Sequence, residues 1–517
     1  MVSKHQKELS KMKKDTNSNV NDFALHELDY GPEIEESAIL KYKELYKILH
    51  NMIDLCVTEV NNVKKPRRND QRLLRNMAVH NIVLDLTKIS YEKQEDKRMH
   101  IVMKAAHEFL QNFCFANPHN QSLLHEKLDF SRFPENEWEA ETATFIYRDN
   151  TVLCNEISER LIQNFVHALE HQNEGGSKVS YLKFLQTISI CDGHEIKKCQ
   201  DIIMTEIMNS DIMNFTSDKT HIDDLIHLME KSQSTTLHDE SNNEINNQIN
   251  FQINLIQLLS NCTAGKNTFT EIKCHSILPL EDIEKVVLNK NCMIEVKDAY
   301  ISFLYHCHID TENETKEIFT TPFIWNIFEN FVQDMSLVCP SRVEREYADR
   351  LLEKYVGNTI IDVISGFFSH NQFPQIPSPN TRADMFQTLY SKLNQLHRCN
   401  WLTEVQKANI NLAIVTMQEK ASFMGIVDIP RLEGTSISEN RVLSVRTPVQ
   451  PTVLQKIAST ASSFPRNRLS SVVGLVGNTN ELMHKFRSSM PKISNFETLK
   501  QDTRLVNEAF QVIILKK

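Results

Sequence analysis

Glycine makes up 11 of 517 residues, about 2% of the chain against a usual share of roughly 7%. That scarcity narrows the fold more than any other feature. β-Sandwiches, dinucleotide-binding folds and phosphate-loop enzymes all need glycine where the backbone turns tightly or approaches a ligand. A chain with so little of it is expected to be all-α. The hydrophobic share of 41% and charged share of 24% are those of an ordinary globular chain, which excludes wholesale disorder. The formal net charge of −10 argues against a general nucleic-acid binder. At this length two or three domains, or one long repetitive one, are expected.

The 11 cysteines are scattered at 56, 114, 154, 191, 199, 262, 274, 292, 307, 339 and 399. Their number is odd and no C-x-x-C pair occurs, so neither a disulfide framework nor a zinc ribbon is indicated, and a reducing compartment is expected. The opening MVSKHQKELSKMKKD has no apolar core of a signal peptide. No apolar run approaches 18 residues, so the chain is expected neither to insert in a membrane nor to form a pore by itself.

Helical periodicity starts near Ile39, where Tyr42, Leu45, Leu49, Met52, Ile53 and Cys56 recur at three- and four-residue steps. Residues 1–38 are polar and are expected to be a disordered tail. Lys64-Lys65-Pro66-Arg67-Arg68 interrupts the pattern and reads as a basic linker, because Pro66 disfavours helix at Lys65. Beyond it, apolar helix ends run into polar turns again and again. Phe109-Leu110-Gln111 precedes Asn117-Pro118-His119-Asn120, and Phe184-Leu185-Gln186 precedes Cys191-Asp192-Gly193-His194. Leu255-Ile256-Gln257 precedes Thr263-Ala264-Gly265-Lys266-Asn267, and Phe303-Leu304-Tyr305 precedes Asp310 to Glu314. Helical hairpins of this kind bury their apolar faces only by stacking, so residues 39–430 are expected to form an armadillo-like α-solenoid. Its stacking core is expected to contain Phe109, Leu110, Leu124, Phe184, Leu185, Ile256, Leu259, Phe303, Leu304, Trp325, Phe328 and Trp401.

Three breaks are expected: a mobile loop over 232–248 (SQSTTLHDESNNEINNQ), a stiff connector over 372–380 (QFPQIPSPN), and a flexible linker over 431–492. A short terminal helix is expected within 493–517, about Phe496 to Leu515. In the linker, Arg466 and Arg468 precede Ser470 and Ser471, a pattern that suits a basophilic kinase, although an unmodified pair is the commoner case.

Motifs of chemistry are weak. Gly265-Lys266-Asn267-Thr268 fails as a phosphate loop: Ser260 stands where the first glycine belongs, and Asn267 where the hydroxyl is needed. His306-Cys307-His308 with Asp310 has metal-ligand residue types, but neighbours on an α-helix point in different directions and do not share one ion easily. Cys191, His194 and Cys199 have better spacing and lack a fourth ligand. His107-Glu108 and His194-Glu195 miss the second histidine of a zinc-protease helix. No catalytic, cofactor-binding or metal residue is assigned, no cofactor is expected, and the chain is read as a non-enzyme.

Several texts nevertheless resemble one family. They include Gln71 to Met77 (QRLLRNM), Ala106 to Cys114 (AHEFLQNFC), residues 155–167 (NEISERLIQNFVH), Tyr181 to Ile188 (YLKFLQTI), Lys197 to Asp201 (KKCQD), Gly265-Lys266-Asn267, Thr270 to Cys274 (TEIKC) and Leu278 to Asp282 (LPLED). Phe328 to Phe331, Leu352 to Val356 and Cys399 to Leu402 continue the series. Together, over roughly residues 40–428 and most densely over 71–290, they resemble the cytosolic ryanodine/inositol-trisphosphate receptor homology (RIH) region of inositol trisphosphate receptors, the intracellular calcium-release channels. Residues 1–38 and 430–517 do not share the resemblance, and neither the family's ligand-binding β-trefoil nor its pore is matched.

The resemblance implies a cytosolic regulatory and coupling domain at the endoplasmic reticulum membrane. It would be a fragment or truncated product that transmits ligand-induced change toward a pore outside it. Its implied partners are other domains and subunits of a tetrameric channel, with no nucleic acid and no direct membrane insertion. Alone, it would be soluble and cytoplasmic. The alternative is a free-standing helical-repeat adaptor, or a dominant-negative fragment, that binds protein partners.

Overall fold

A computed structural model of the chain describes residues 25–29, 34, 36–60, 63–91, 96–130, 133–134, 136–171, 178–210, 212, 220–234, 240–312, 317–340, 349–370 and 380–421. All of them fall in one compact unit. The connector at 372–379, the linker with Ser470 and Ser471, and the terminal helix near 496–515 lie outside the described residues.

The helices are α1 Glu36–Cys56, α2 Arg68–Asn76, α3 Val79–Thr87, α4 Lys97–Cys114, α5 Pro118–Lys127, α6 Glu137–Tyr147 and α7 Thr151–Glu156. There follow α8 Glu159–His171, α9 Val179–Ser189, α10 Lys197–Asn209, α11 Thr220–Ser234, α12 Glu240–Thr263, α13 Thr268–Ile277 and α14 Leu280–Val287. The last are α15 Ile294–Leu304, α16 Glu317–Thr320, α17 Phe323–Val338, α18 Arg350–Gly357, α19 Thr359–Ser369, α20 Asn380–His397 and α21 Glu404–Ala421. Their starts are chemically marked. Asp96 accepts from the Met99 N–H at 3.0 Å, Asn136 from Glu139 at 3.0 Å, and Asp349 from both Leu351 and Leu352 at 3.0 Å.

Eight of these helices make one row. Helix α1 packs on α4, α4 on α6, α6 on α9, α9 on α12, α12 on α15, α15 on α19, and α19 on α21. The others flank the row as a second layer; α10 lies against α8 and α12, α11 against α12 and α14, and α17 against α20. The fold is thus an all-α solenoid, in which each helix pair buries its apolar face on its neighbours. Phe184 of α9 stacks on Phe165 of α8 with ring centroids 3.8 Å apart and meets Tyr147 of α6 edge-on at 5.6 Å. Farther along, Phe328 of α17 is ringed by Trp325, Phe367 and Phe368 at 5.6, 5.2 and 5.8 Å. Of the twelve side chains expected in the core, Trp401 alone is only half-buried; its indole N–H donates to the Val338 carbonyl at 3.1 Å.

Three local expectations are corrected, and the form of one expected turn is defined. The tail over 1–38 is too long by its last residues, since α1 begins at Glu36. Within that tail Leu28 is fully buried, and Arg98 donates to the carbonyls of Leu28 and Asp29 at 2.8 and 3.0 Å. The basic linker is half of an antiparallel hairpin, β1 Val57–Val60 against β2 Val63–Pro66, with Pro66 opposite Val57 at its outer end in a position whose own N–H the ladder does not use; the next N–H, of Arg67, donates to the Cys56 carbonyl at 2.8 Å. The polar loop expected over 232–248 is helix at 232–234 and 240–248, with 235–239 outside the described residues; Ile245, Ile249 and Ile253 recur every four residues and are buried beneath an asparagine-rich surface. Finally, the turn at Cys191–His194 is a second hairpin, β3 Ile190–Cys191 against β4 His194–Glu195. Asp192 and Gly193 both adopt positive φ (52° and 73°), as a tight hairpin turn requires.

Candidate functional site: helix corners and a histidine–cysteine cluster

A helix leaves its last carbonyls without intrahelical partners, and inside a stacked core water cannot supply them. This chain solves the problem the same way three times. At the end of α4, the Gln71 side-chain amide, from α2, donates to the carbonyls of Asn112 and Phe115 at 2.9 and 3.1 Å. Its oxygen accepts from Asn117 at 3.0 Å, and the Asn117 oxygen in turn accepts from the Asn120 N–H, capping α5. At the end of α6, Gln121 donates to Phe145 and Arg148 at 3.0 and 2.9 Å, and accepts from Asn150, which caps α7. At the end of α12, Gln200 donates to Asn261 and Ala264 at 2.8 and 3.1 Å, and accepts from Asn267, the residue before α13, at 3.1 Å.

All six of these side chains are buried, and each glutamine has both amide hydrogens and its oxygen engaged. Each corner therefore joins three helices: the one that ends, the one that begins, and the neighbour that supplies the glutamine. The backbone between end and start passes through a left-handed residue in every case: Ala116 at φ 50°, Asp149 at 55° and Lys266 at 58°. Sequence reasoning missed the pattern because the glutamine and its asparagine are 46, 29 and 67 residues apart. The available signal was a glutamine on an otherwise apolar helix face.

Farther along, α15 and α17 share a buried ion pair. Lys297 Nζ lies 2.9 and 3.1 Å from the two carboxylate oxygens of Asp334 and 3.0 Å from the Asn330 side-chain oxygen. Burial pushes the Asp334 carboxyl up, against the pull of Lys297.

The metal-like sequence at 306–310 is only partly brought together. Helix α15 runs into a π-helical turn at Tyr305–Ile309, closed by the Asp310 N–H donating to the Tyr305 carbonyl at 2.8 Å. The wider turn carries Cys307 and His308 toward α13, where His275 meets them. The three residues offer ligand atoms that all lie within 4.8 Å of one another. His275 donates from Nε2 to the Cys307 carbonyl at 2.7 Å, and its ring stacks on that of His308 at 4.6 Å and 17°. Burial, with a smaller push from the neighbouring His275, lowers His308 from 6.5 to about 3, against a backbone hydrogen bond at Leu278. His306 and Asp310 stay apart from this group; Asp310 pairs with Lys266 at 3.4 Å. Cys307 and His308 thus both approach His275 across the π-turn, whose residue step differs from that of an α-helix. Cys191, His194 and Cys199 are not assembled: Cys191 and Cys199 are buried, whereas His194 is exposed. Among the described residues no other histidine, cysteine and carboxylate group meets the spacing for an ion.

No helix among the described residues is long and apolar enough to cross a membrane. The sequence comparisons agree with the helical texts. The family model of the RIH domain matches residues 44–217. The inositol 1,4,5-trisphosphate receptor itr-1 of Caenorhabditis elegans is 29% identical over 344 residues, a match that spans 65% of this chain and 12% of that receptor. A solved structure, titled for a phosphorylation switch that controls the interaction between cadherin and beta-catenin, covers 75% of this chain and 98% of its own at 12% identity. Its TM-score is 0.25, too low to bear on the fold.

Proposed function

We propose that the chain is an inositol trisphosphate receptor family member carrying the RIH domain, and that it is a regulatory and coupling element of a calcium-release channel. In this reading it lies on the cytosolic face of the endoplasmic reticulum. It passes a ligand-induced change toward a pore formed by other parts of the assembly, and its partners are the neighbouring domains and subunits. It does no chemistry of its own.

The observation that supports the reading is the continuous helix row with its three glutamine–asparagine corners. A solenoid contacts mainly its own neighbours, so a displacement at one pair reaches the next through packed side chains. A corner that ties three helices by fully satisfied buried amides turns bending of one helix into movement of all three. Coupling then follows if the row has two arrangements that ligands at one end and the gate at the other favour differently.

The test is a chimera in which this helical region replaces the matching region of the C. elegans receptor, assayed for inositol trisphosphate binding and calcium release. With native corners, ligand-gated release is expected. With Gln71→Leu, Gln121→Leu and Gln200→Leu together, binding should persist while release falls. Unchanged release from a folded triple variant would sink the coupling role.

A further inference from the structure

We propose that His275, Cys307 and His308 form a three-ligand site for a borderline-soft divalent cation, with Zn2+ the ion this donor set suits best. The proposal is independent of the coupling role. Two imidazoles and one thiolate are the ligand types zinc takes in three-ligand sites, where a water fills the fourth position. They come from two segments, α13 and the π-turn, so an ion would fasten one solenoid pair to the next.

The hydrogen bonds around the rings set which nitrogen of each carries the proton in the ion-free site. His275 uses Nε2–H on the Cys307 carbonyl, and a neutral imidazole that donates at one nitrogen presents a lone pair at the other. His308 is tied to the backbone at Leu278 by a bond that favours its protonated form, so the ring is the donor there as well. Backbone carbonyls in this role fix the tautomer and orientation of metal-bound histidines. The packing behind the turn is tight. Gly366 of α19 sits where an added methyl would lie 2.7 Å from Tyr305 Cε2 and 3.2 Å from Ile309 Cγ2, so α19 packs directly against the π-turn.

One movement is required. The two rings are almost parallel, so their lone pairs run side by side instead of converging. Tetrahedral zinc with ordinary bond lengths places its ligand atoms about 3.3–3.8 Å apart, and these lie within 4.8 Å. A rotation of His275 out of the stack, which gives up its bond to the Cys307 carbonyl, would bring its lone pair toward the other two. His275 is the member able to make it, since it is half-buried while Cys307 and His308 are buried. The same exposure gives an ion its way in and leaves room for the water ligand.

The experiment titrates the purified full chain, first stripped with a chelator, with Zn2+ against a chromophoric indicator and then with Co2+ as a spectroscopic probe. One equivalent is expected to bind. Co2+ should give the intense visible bands of a tetrahedral site and a thiolate charge-transfer band, and Zn2+ should raise the melting temperature. Cys307→Ser should remove the charge-transfer band. His275→Ala, checked for an unchanged circular-dichroism spectrum, should weaken Zn2+ binding about 100-fold. Cys191→Ser with His194→Ala, at the other cysteine–histidine spacing, should change nothing. The proposal is overturned if the stripped chain binds no Zn2+ at micromolar concentration. It is equally overturned if His275→Ala binds as tightly as the unaltered chain, or if the charge-transfer band survives in Cys307→Ser.

Discussion

Lys297 and Asp334 meet at 2.9 Å with side chains only 9% and 7% exposed, so two full charges are held in the interior between α15 and α17. Neither charge is cheap to bury, and each is tolerable only because the other is there. Asp334→Ala leaves the ammonium with Asn330 alone and should destabilise the chain by about 3–5 kcal/mol. Lys297→Met combined with Asp334→Leu should recover most of that loss, because it removes both charges and keeps the volume. Denaturant unfolding of both variants beside the unaltered chain checks the pair; a double variant as unstable as Asp334→Ala would show that packing, not charge, sets the cost.

Gln200→Leu keeps the bulk of the side chain and removes three hydrogen bonds at one corner. The Asn261 and Ala264 carbonyls and the Asn267 amide would be left buried without that partner, at about 1–3 kcal/mol for each group. Amide exchange should quicken in α10, at the end of α12 and at the start of α13 together, since the corner joins all three. Faster exchange confined to α10 would show that the corner does not link them.

His107, on α4 of the row, gives the chain an acid limit. It is 5% exposed, donates to the Thr142 hydroxyl on α6 at 3.1 Å, and is lowered by burial from 6.5 to about 4. Its folded-state value is depressed, so the unfolded chain takes up a proton that the folded chain refuses. The contribution is complete above about pH 6.5, shrinks as pH falls, and is gone near pH 4; the whole drop is on the order of 3 kcal/mol. His107→Gln keeps a donor near Thr142 without the titration. Its stability should fall less steeply between pH 6.5 and 4 than that of the unaltered chain, by about one proton's worth of slope.

Phe184→Ala should cost about 3–5 kcal/mol, because the ring is fully buried and touches both Phe165 and Tyr147. A melting temperature that does not move would take Phe184 out of the core.

Gly366→Ala tests the seat of the π-turn. Its methyl would press on Tyr305 and Ile309, and overpacking of this kind costs about 1–3 kcal/mol. Circular dichroism melts would show the loss. Gly193→Ala is the comparison for strain alone, since an added methyl there has open space and only the positive φ of 73° opposes it.

Much of this architecture was legible in the sequence. Scarce glycine and three-to-four periodicity were enough for stacked helices, and side chains such as Phe109, Phe303 and Phe328 are where an apolar stripe places them. Composition misled where it hid periodicity: Ile245, Ile249 and Ile253 keep a helical step through a segment whose asparagines read as loop. Trp401 is half-buried where full burial is expected, because an indole can lie at an edge and use its N–H there. The Gln–Asn corners were not legible, since their partners are brought together by packing at irregular chain separations. Cys307 and His308 stood in plain view, yet their convergence depends on a π-turn, and His275 belongs to a different helix.

The left-handed residues at the corners carry a consequence for how this chain can change. Alanine, aspartate and lysine at such angles each cost about 1–2 kcal/mol, and at Ala116, Asp149 and Lys266 buried amide bonds hold them there. Glycine at Ala116 or Asp149 would relax the folded corner while widening the freedom of the unfolded chain, two effects of opposite sign. The direction of bend thus resides in a remote glutamine instead of in the bending residue. Drift at the bend itself is tolerable, and loss of the glutamine is not.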